Sequence, residues 1–499
     1  MNQAHLWNGM LPPELIDNLQ GENPQWTGSA PRPFPKFHRS IYPRVFRLLT
    51  SEGLSPAVAV RGPRRVGKTV LLRQVMQGLR EAGVPPERML YVAFDDLPSF
   101  AKLKEPVLAV SRWFEQHILK RSFNEAWERR EPAYLLFDEI QNLPDWAVQL
   151  KHLVDIHAVR VLLTGSSSLR IEAGRDSIAG RVTTITMGPL ALREISGIRT
   201  GNSSQAYWGD DANGQLGQRE FWQGAVAHSS KEREARREAF RAFSERGGYP
   251  FAHEAKDTSW SDLSAFLNET VISRALQHDL RVGERGRKRD ERLLEEVFRL
   301  ACRYAGQTPG QSAFVPELQR VLNANIGYNR VQQYLRFLDA TLLLRLVEPL
   351  ELRLKKRKAP PKICICDHAL RAAWLQEIVP LAPEALTEDV HLSILAGRLA
   401  ESTLGYFLVT TPGVELAYLP ERDGNPEVDF ILTCGTKRIP IEVKYRRKID
   451  YEDARGLIAF MEKSANNAPF GLLVTLEDDV TVVDPRIIPL SLSSLMWLR

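Results

Sequence analysis

The segment that most restricts what this chain can fold into is 57–69. There Ala57-Val58-Ala59-Val60-Arg61 runs directly into Gly62-Pro63-Arg64-Arg65-Val66-Gly67-Lys68-Thr69. A short apolar run of this kind reads as a buried strand, and Thr69–Leu79 places its apolar residues at helical spacing. Between strand and helix, glycines let the backbone turn tightly enough to aim successive N–H groups at one point. The helix N-terminus adds favourable partial charge there. Such a cradle holds a polyphosphate. Gly62, Pro63, Arg64, Arg65, Val66, Gly67, Lys68, Thr69 and the next residue, Val70, are therefore candidate nucleotide-binding residues. Lys68 is expected to reach the β- and γ-phosphates, and the Thr69 hydroxyl to sit on Mg²⁺.

Downstream, short apolar strands alternate with helical stretches to about Leu192, the pattern of a parallel α/β sheet. The expected strands are Ala57–Arg61, Met89–Phe94, Tyr134–Phe137, Val159–Leu163 and Thr184–Met187. The expected fold class is α/β, with a P-loop parallel-sheet ATPase core over 51–192. Flanking it are an irregular N-terminal arm (1–50), a helical lid (193–305), a winged helix (306–378) and a C-terminal α/β domain (379–499). Within the lid, the polar Gly-rich run 201–218 reads as a solvated insertion. The chain has 499 residues, 43% hydrophobic and 25% charged, enough for several cores of ordinary size without disulfide or metal staples. Its four cysteines, at 302, 364, 366 and 434, form no CxxC pair, which fits a reducing, cytoplasmic setting. The first residues show no secretion leader, and no apolar run reaches about 18 residues, so no membrane span is expected. A net charge of +5 is too small to argue for nucleic acid, so local clusters must carry that argument.

A second chemical element follows where such a sheet needs it. Tyr134-Leu135-Leu136-Phe137 is an apolar strand that ends in Asp138-Glu139. Asp138 is expected to hold Mg²⁺ through water, and Glu139 to orient or polarise an attacking water. The next strand ends in Thr164-Gly165-Ser166-Ser167-Ser168, polar residues that either sense the γ-phosphate or cap the following helix. Arg181, after Gly180, is a candidate charge-neutralising arginine acting in cis or on a neighbouring copy, or else a surface ion pair. The neighbour option leaves room for a homo-oligomer.

Further along, Ser312–Asn323 and Tyr328–Asp339 read as a helix-turn-helix pair. Val315, Leu318, Val321 and Leu322 face inward on the first helix, and Val331, Tyr334, Leu335 and Leu338 on the second. Asn329, Arg330 and Gln333 are left exposed on the second helix, the side that would enter a major groove. The basic run Arg353–Lys358, between strands Leu342–Val347 and Ile363–Cys366, would be a phosphate-touching wing. Packing against protein is the alternative. Nucleic acid, DNA favoured, is the expected partner. The C-terminal domain adds Asp429 near the start of one strand and Glu442-Val443-Lys444 at the end of the next. An Asp followed by Glu-x-Lys on the neighbouring strand is how restriction-endonuclease-like folds hold a divalent ion. Asp429 and Glu442 would ligate Mg²⁺, Lys444 would stabilise phosphate charge, and Glu401 would approach from a helix bearing Gly397 and Gly405. Glu-x-Lys is a weak signal alone, since it recurs at Glu254-Ala255-Lys256.

The phosphate loop, Leu135-Leu136-Phe137-Asp138-Glu139-Ile140-Gln141, Leu163–Ser168, Ala179-Gly180-Arg181 and Gly247-Gly248-Tyr249-Pro250 together resemble a known family. It is that of prokaryotic AAA-type (STAND-like) ATPases with a restriction-endonuclease-like C-terminal domain. The likeness runs from about residue 40 to the C-terminus, interrupted by 201–218. It implies ATP binding with Mg²⁺, and hydrolysis. Two functions follow. One is an ATPase whose nucleotide state controls a DNA- or RNA-acting module, including a Mg²⁺-dependent nuclease. The other is a nucleotide-switched signalling or scaffold protein whose C-terminal domain only docks. Nothing resembles the threading loop of a protein remodeller.

Overall fold

The computed structural model describes residues 11–51, 55–94, 100, 102–165, 178–202, 205–209, 214–278, 290–351, 359–386, 390–411, 413–421 and 426–499. The chain is mixed α/β and divides into two compact units, one ending at Met187 and one running from Gly188 to the C-terminus.

The first unit is built on a five-stranded sheet in the order β2-β3-β4-β1-β5. Its strands are β1 (Ala57–Arg61), β2 (Met89–Ala93), β3 (Tyr134–Asp138), β4 (Arg160–Gly165) and β5 (Val182–Thr186). All pair in parallel. Such sheets are covered on both faces, so their strands read as continuous apolar runs rather than alternating ones. The strand carrying the phosphate loop and the strand ending in acids are not neighbours, because β4 lies between them.

Among its described residues the N-terminal arm is irregular only in part, over 29–39. It forms α1 (Pro13–Glu22), started by proline and burying Leu15 and Leu19, and α2 (Tyr42–Thr50), burying Val45 and Leu49. Its side chains close the exposed edge of β2 as a further strand would. Asn23 accepts from Tyr91 N at 2.8 Å and donates to Tyr91 O at 2.7 Å. Trp26 donates to Met89 O at 3.0 Å, and Glu22 accepts from Ala93 N at 3.1 Å. An uncovered edge is a site for unwanted strand pairing, so this is protection as well as packing.

In the second unit, α3 (Arg233–Arg246) lies against a C-terminal mixed sheet in the order β12-β11-β10-β9-β8. Its strands are β8 (Glu415–Leu419), β9 (Val428–Cys434), β10 (Lys437–Lys444), β11 (Gly471–Thr475) and β12 (Ile487–Ser491). Between them in sequence come helices Glu291–Arg303, Gln311–Leu322 and Tyr328–Ala340, then an antiparallel pair, β6 (Leu344–Val347) with β7 (Lys362–Ile365). Asn329, Arg330 and Gln333 are exposed as expected. On the preceding helix the inward face is Phe314 and Leu318, whereas Val321 is 42% exposed. The basic run 353–358 lies outside the described residues.

Two further expectations change. The run 201–218 is not simply solvated: Trp208 and Leu216 are buried. Trp208 N donates to Leu498 O at 2.7 Å, and Trp222 Nε1 to Leu216 O at 2.8 Å. Composition misled here because two apolar anchors among glycines suffice to dock a loop. Nor is 378/379 a physical break. The chain after β6 hydrogen-bonds to β8, with Leu350 N donating to Tyr418 O at 2.8 Å and Tyr418 N to Glu348 O at 3.2 Å. Helix α4 (Val390–Val409) packs on β7, and Gly405 makes that approach feasible. A Cβ there would stand 2.4 Å from Cys364 Sγ and 2.8 Å from Phe430. Residues His391–Val409 are, by length and composition, apolar enough to cross a membrane, but half of that window is buried within the unit.

Arg236, wholly buried, joins α3 to the sheet through Asp478, with N–O distances of 2.8 and 2.6 Å, and through Ser491 at 3.0 Å. Burial opposes charge on Asp478, but the bonds from Arg236 and Ser491 override it and hold the carboxyl well below the usual range. Removing one partner of a buried pair costs about 3–5 kcal/mol, so Arg236→Met should lower stability by about that much in urea melts at pH 7. A carboxylate depressed in the folded state contributes stability that is complete above its ordinary value of 3.8 and lost as pH falls further. The gap between the parent protein and Asp478→Asn should therefore be full at pH 7 and shrink steadily below pH 3.8.

Candidate active site

Parallel strands bring their carboxyl ends to one edge of the sheet, where ligands of open α/β sheets sit. Gly62 follows β1, Asp138 ends β3, and Thr164 lies one residue from the end of β4, level with Val60. Residues scattered over a hundred positions thereby become neighbours.

The phosphate loop closes on helix α5 (Lys68–Glu81), whose N-cap Gly67 has φ 100°. Gly62 is required by space, since a Cβ would meet Met187 O at 2.1 Å. Arg65 takes the left-handed region, with φ 66°, and is exposed. Pro63 and Val66 are buried, and Arg64 and Val70 are half-buried. The arm braces this loop: Arg39 donates to Val66 O at 2.7 Å, and Gln74 on α5 donates to Pro35 O and Phe37 O, each at 2.8 Å.

Lys68, buried, donates to the carbonyls of Gly62 at 3.0 Å and Pro63 at 2.9 Å, and its ammonium stands 3.9 Å from the Glu139 carboxylate. Thr69 Oγ1 donates to Asp138 Oδ2 at 2.7 Å, and Thr164 Oγ1 donates to Asp138 Oδ1. Thr164 Oγ1 also accepts from Glu139 N at 3.2 Å, so one hydroxyl fixes both acids. Glu139 itself sits at φ 50°, an uncommon conformation that swings it out of line with the strand. Burial first, and the neighbouring Glu139 second, raise the Asp138 carboxyl above its ordinary value despite the bonds from Thr164 and Thr69. A cation beside Thr69 would reverse that shift. Together with an ammonium resting on neutral carbonyls, these residues fit a metal-bound polyphosphate.

Two members were missed by sequence reasoning. Tyr91 on β2 donates to Asp138 Oδ2 at 3.1 Å, and Gln141 Nε2 donates to Glu139 Oε2. Gln141 follows Glu139 closely enough to have been suspected. Tyr91 required the β2–β3 register, which sets Tyr91 opposite Leu136 and Ala93 opposite Asp138. Arg181 is not brought to the site within this chain. It precedes β5 at the amino edge of the sheet, opposite the loop, and is ion-paired to Asp155. Ser166–Ser168 lie outside the described residues.

In the C-terminal sheet, Glu401 and Asp429 do converge, but on an ammonium. Lys362 Nζ bonds the Glu401 carboxylate and stands 3.3 Å from Asp429 Oδ1 and 3.4 Å from Glu427 Oε1. Asp429 Oδ2 accepts from Val443 N at 2.8 Å, while Glu442 turns to Lys444 Nζ at 2.6 Å. The expected pairing of Asp429 with Glu442 on one divalent ion is therefore not what these residues form. Among the described residues, no three His, Cys, Asp or Glu side chains are placed to hold a metal. Burial, then Asp429, pushes the Glu442 carboxyl up to about 8, and burial, then Asp429, holds Glu401 well above the usual range. Burial opposes charge on Asp429 too, but Lys362 and the Val443 amide keep it low.

Residues 54–196 match the family model of an AAA domain, so the chain carries an AAA-type ATPase domain. Residues 237–378 and 397–494 match two domains of unknown function, DUF8612 and DUF4143. An uncharacterized protein of Methanocaldococcus jannaschii is 31% identical over 138 residues, 28% of this chain and 27% of that protein. One of Mycobacterium tuberculosis is 25% identical over 382 residues, 74% of this chain and 69% of that protein. The chain thus spans about a quarter of the first relative's length. The Aeropyrum pernix ORC2 protein, solved as ADPNP–ADP complexes, aligns at 12% identity with a TM-score of 0.34, over 70% of this chain and 96% of that one.

Tyr91→Phe removes one hydrogen bond to a carboxylate, about 1.5–3 kcal/mol when the acceptor is charged. Calorimetric titration should show Mg²⁺–nucleotide uptake weakened about tenfold or more, with metal-free nucleotide uptake unchanged. Equal weakening in both conditions would mean that Tyr91 only supports the fold.

Proposed function

We propose that this protein binds and hydrolyses ATP and that its nucleotide state controls a nucleic-acid-acting module in the same chain. The observation that carries the reading is the convergence of Lys68, Thr69, Asp138, Glu139 and Thr164 at one sheet edge beside a helix N-terminus. Loop amides from Gly62 to Thr69 and the helix dipole would bind phosphate oxygens. Lys68 would exchange its two carbonyl partners for the β- and γ-phosphates. Bound Mg²⁺ would supply charge neutralisation between those phosphates, held by Thr69 and, through water, Asp138. Glu139, fixed by Gln141 and by Thr164, would orient the attacking water and take its proton.

Lys68→Ala should abolish nucleotide uptake in calorimetry. Glu139→Gln should still bind ATP while turnover falls by about 100-fold or more, the usual contribution of a general base. Unchanged turnover in Glu139→Gln would remove Glu139 from that role.

For the second module, exposure of Asn329, Arg330 and Gln333 on one helix supports contact with DNA. Arg330→Ala should then flatten the slope of log affinity against log salt by about 0.9, read by fluorescence anisotropy on duplex DNA. An unchanged slope would favour the second reading, a nucleotide-switched scaffold whose C-terminal domain docks without cutting. One observation already leans toward its non-catalytic C-terminal domain: the carboxylates expected to hold a nuclease metal are occupied by Lys362 and Lys444.

A further inference from the structure

Lys362 opens β7, yet its side chain is only 1% exposed. Its ammonium draws together groups from separate parts of the chain: Glu401 from α4, Glu427 from just before β9, and Asp429 from β9 itself. Two of its N–H groups donate to Glu401 and Asp429, and the Glu427 carboxylate stands within ion-pair distance. The rings of Phe430 and Tyr418 stand 5.0 and 5.5 Å from the nitrogen and screen it from solvent.

A divalent ion makes different demands. It needs several hard oxygens directed at one centre, about 2.0–2.6 Å away. Here Asp429 Oδ1 faces Lys362 and Oδ2 is taken by the Val443 amide. Glu401 Oε1 faces Lys362, and Glu442 Oε1 faces Lys444. Four of the oxygens that would surround an ion are thus turned to internal donors, whereas the buried Glu442 Oε2 has no hydrogen-bond partner. Placing a divalent cation among them would also set it against a buried ammonium, a like-charge contact in a poorly solvated space.

We infer that Lys362 is the resident cation of the C-terminal acidic site, an ammonium gathering the carboxylates that a divalent ion would otherwise gather, so that this domain takes up no metal. The ammonium has a second consequence. Because Lys362 belongs to the β6–β7 pair and its partners belong to α4 and the C-terminal sheet, it fastens these elements together. It does so near Tyr418, whose hydroxyl donates to Pro360 O and whose backbone pairs with residues 348 and 350. The inference does not rest on the ATPase reading.

The test is Mn²⁺ uptake by the full chain without nucleotide, read by electron paramagnetic resonance. It compares the parent protein, Asp429→Asn, Lys362→Ala and the double variant. The parent and Asp429→Asn should take up the same amount of Mn²⁺. Lys362→Ala should gain one site, at least tenfold tighter than any the parent shows, and the double variant should lose it. Mn²⁺ uptake in the parent that Asp429→Asn abolishes would overturn the inference. So would a folded Lys362→Ala that gains no site. If Lys362→Ala does not fold, Lys362→Met keeps the aliphatic bulk, and the parent against Asp429→Asn still decides. Omitting nucleotide keeps the outcome separate from failure of nucleotide binding, which Lys68→Ala reports.

Discussion

Asp138 is a carboxylate taken out of water at the end of a central strand and held there by hydroxyls from three different elements. Thr69 reaches it from the helix after the phosphate loop, Thr164 from β4 and Tyr91 from β2. A buried acid is costly unless its oxygens are met, so each of these contacts is also a constraint on where its element can lie. Shift β4 by one residue and Thr164 would point to the other face of the sheet. The parallel register, the tightness of the loop and the closing of the β2 edge by Asn23 all serve this one position. The arm is thereby tied to the chemistry, because Asn23 brackets the backbone of the very residue whose hydroxyl reaches Asp138.

The second unit is fastened by charge in a similar way but to a different end. Arg236 with Asp478, and Lys362 with Glu401 and Asp429, are ion clusters inside a protein interior, where apolar residues of equal volume would often serve stability as well. What such clusters add is direction. An apolar contact tolerates a slide of an ångström, whereas a guanidinium facing both Asp478 oxygens and the hydroxyls of Ser491, Ser493 and Ser494 does not. The same argument separates Lys362 from a structural metal. Both collect carboxylates, but the lysine is covalently part of β7 and cannot be removed by a chelator.

The phosphate loop and the Asp138-Glu139 pair were legible in the sequence because their chemistry is local. A loop that binds phosphate through its own amides must have its glycines and its lysine at fixed spacing. An acid at a strand end is announced by the apolar run before it. The five parallel strands were legible for the same reason, with boundaries displaced by a residue or two. Legibility failed wherever a residue acts on something distant in the chain. Tyr91 looks like an ordinary strand aromatic, Asn23 like a turn residue, and Lys362 like a polar start to a strand. Trp208 and Leu216 were hidden by glycines and polar neighbours, since composition averages over a loop while docking depends on its few apolar members. The Glu-x-Lys triplet failed in the opposite sense: its spacing was correct, but spacing does not say which cation its acids meet.

By itself, then, the order of residues determined an α/β core, the loop suited to phosphate, the two acids beside it, and a second α/β region downstream. These follow from periodicity and from backbone geometry, which act over a few residues. Only the tertiary structure decided that β4 would stand between the loop and the acids, that Arg181 would fall at the opposite edge of the sheet, and that a lysine from one sheet would sit among the acids of another. Those outcomes depend on which segments bury one another, and burial is a property of pairs of surfaces that no single stretch of chain contains.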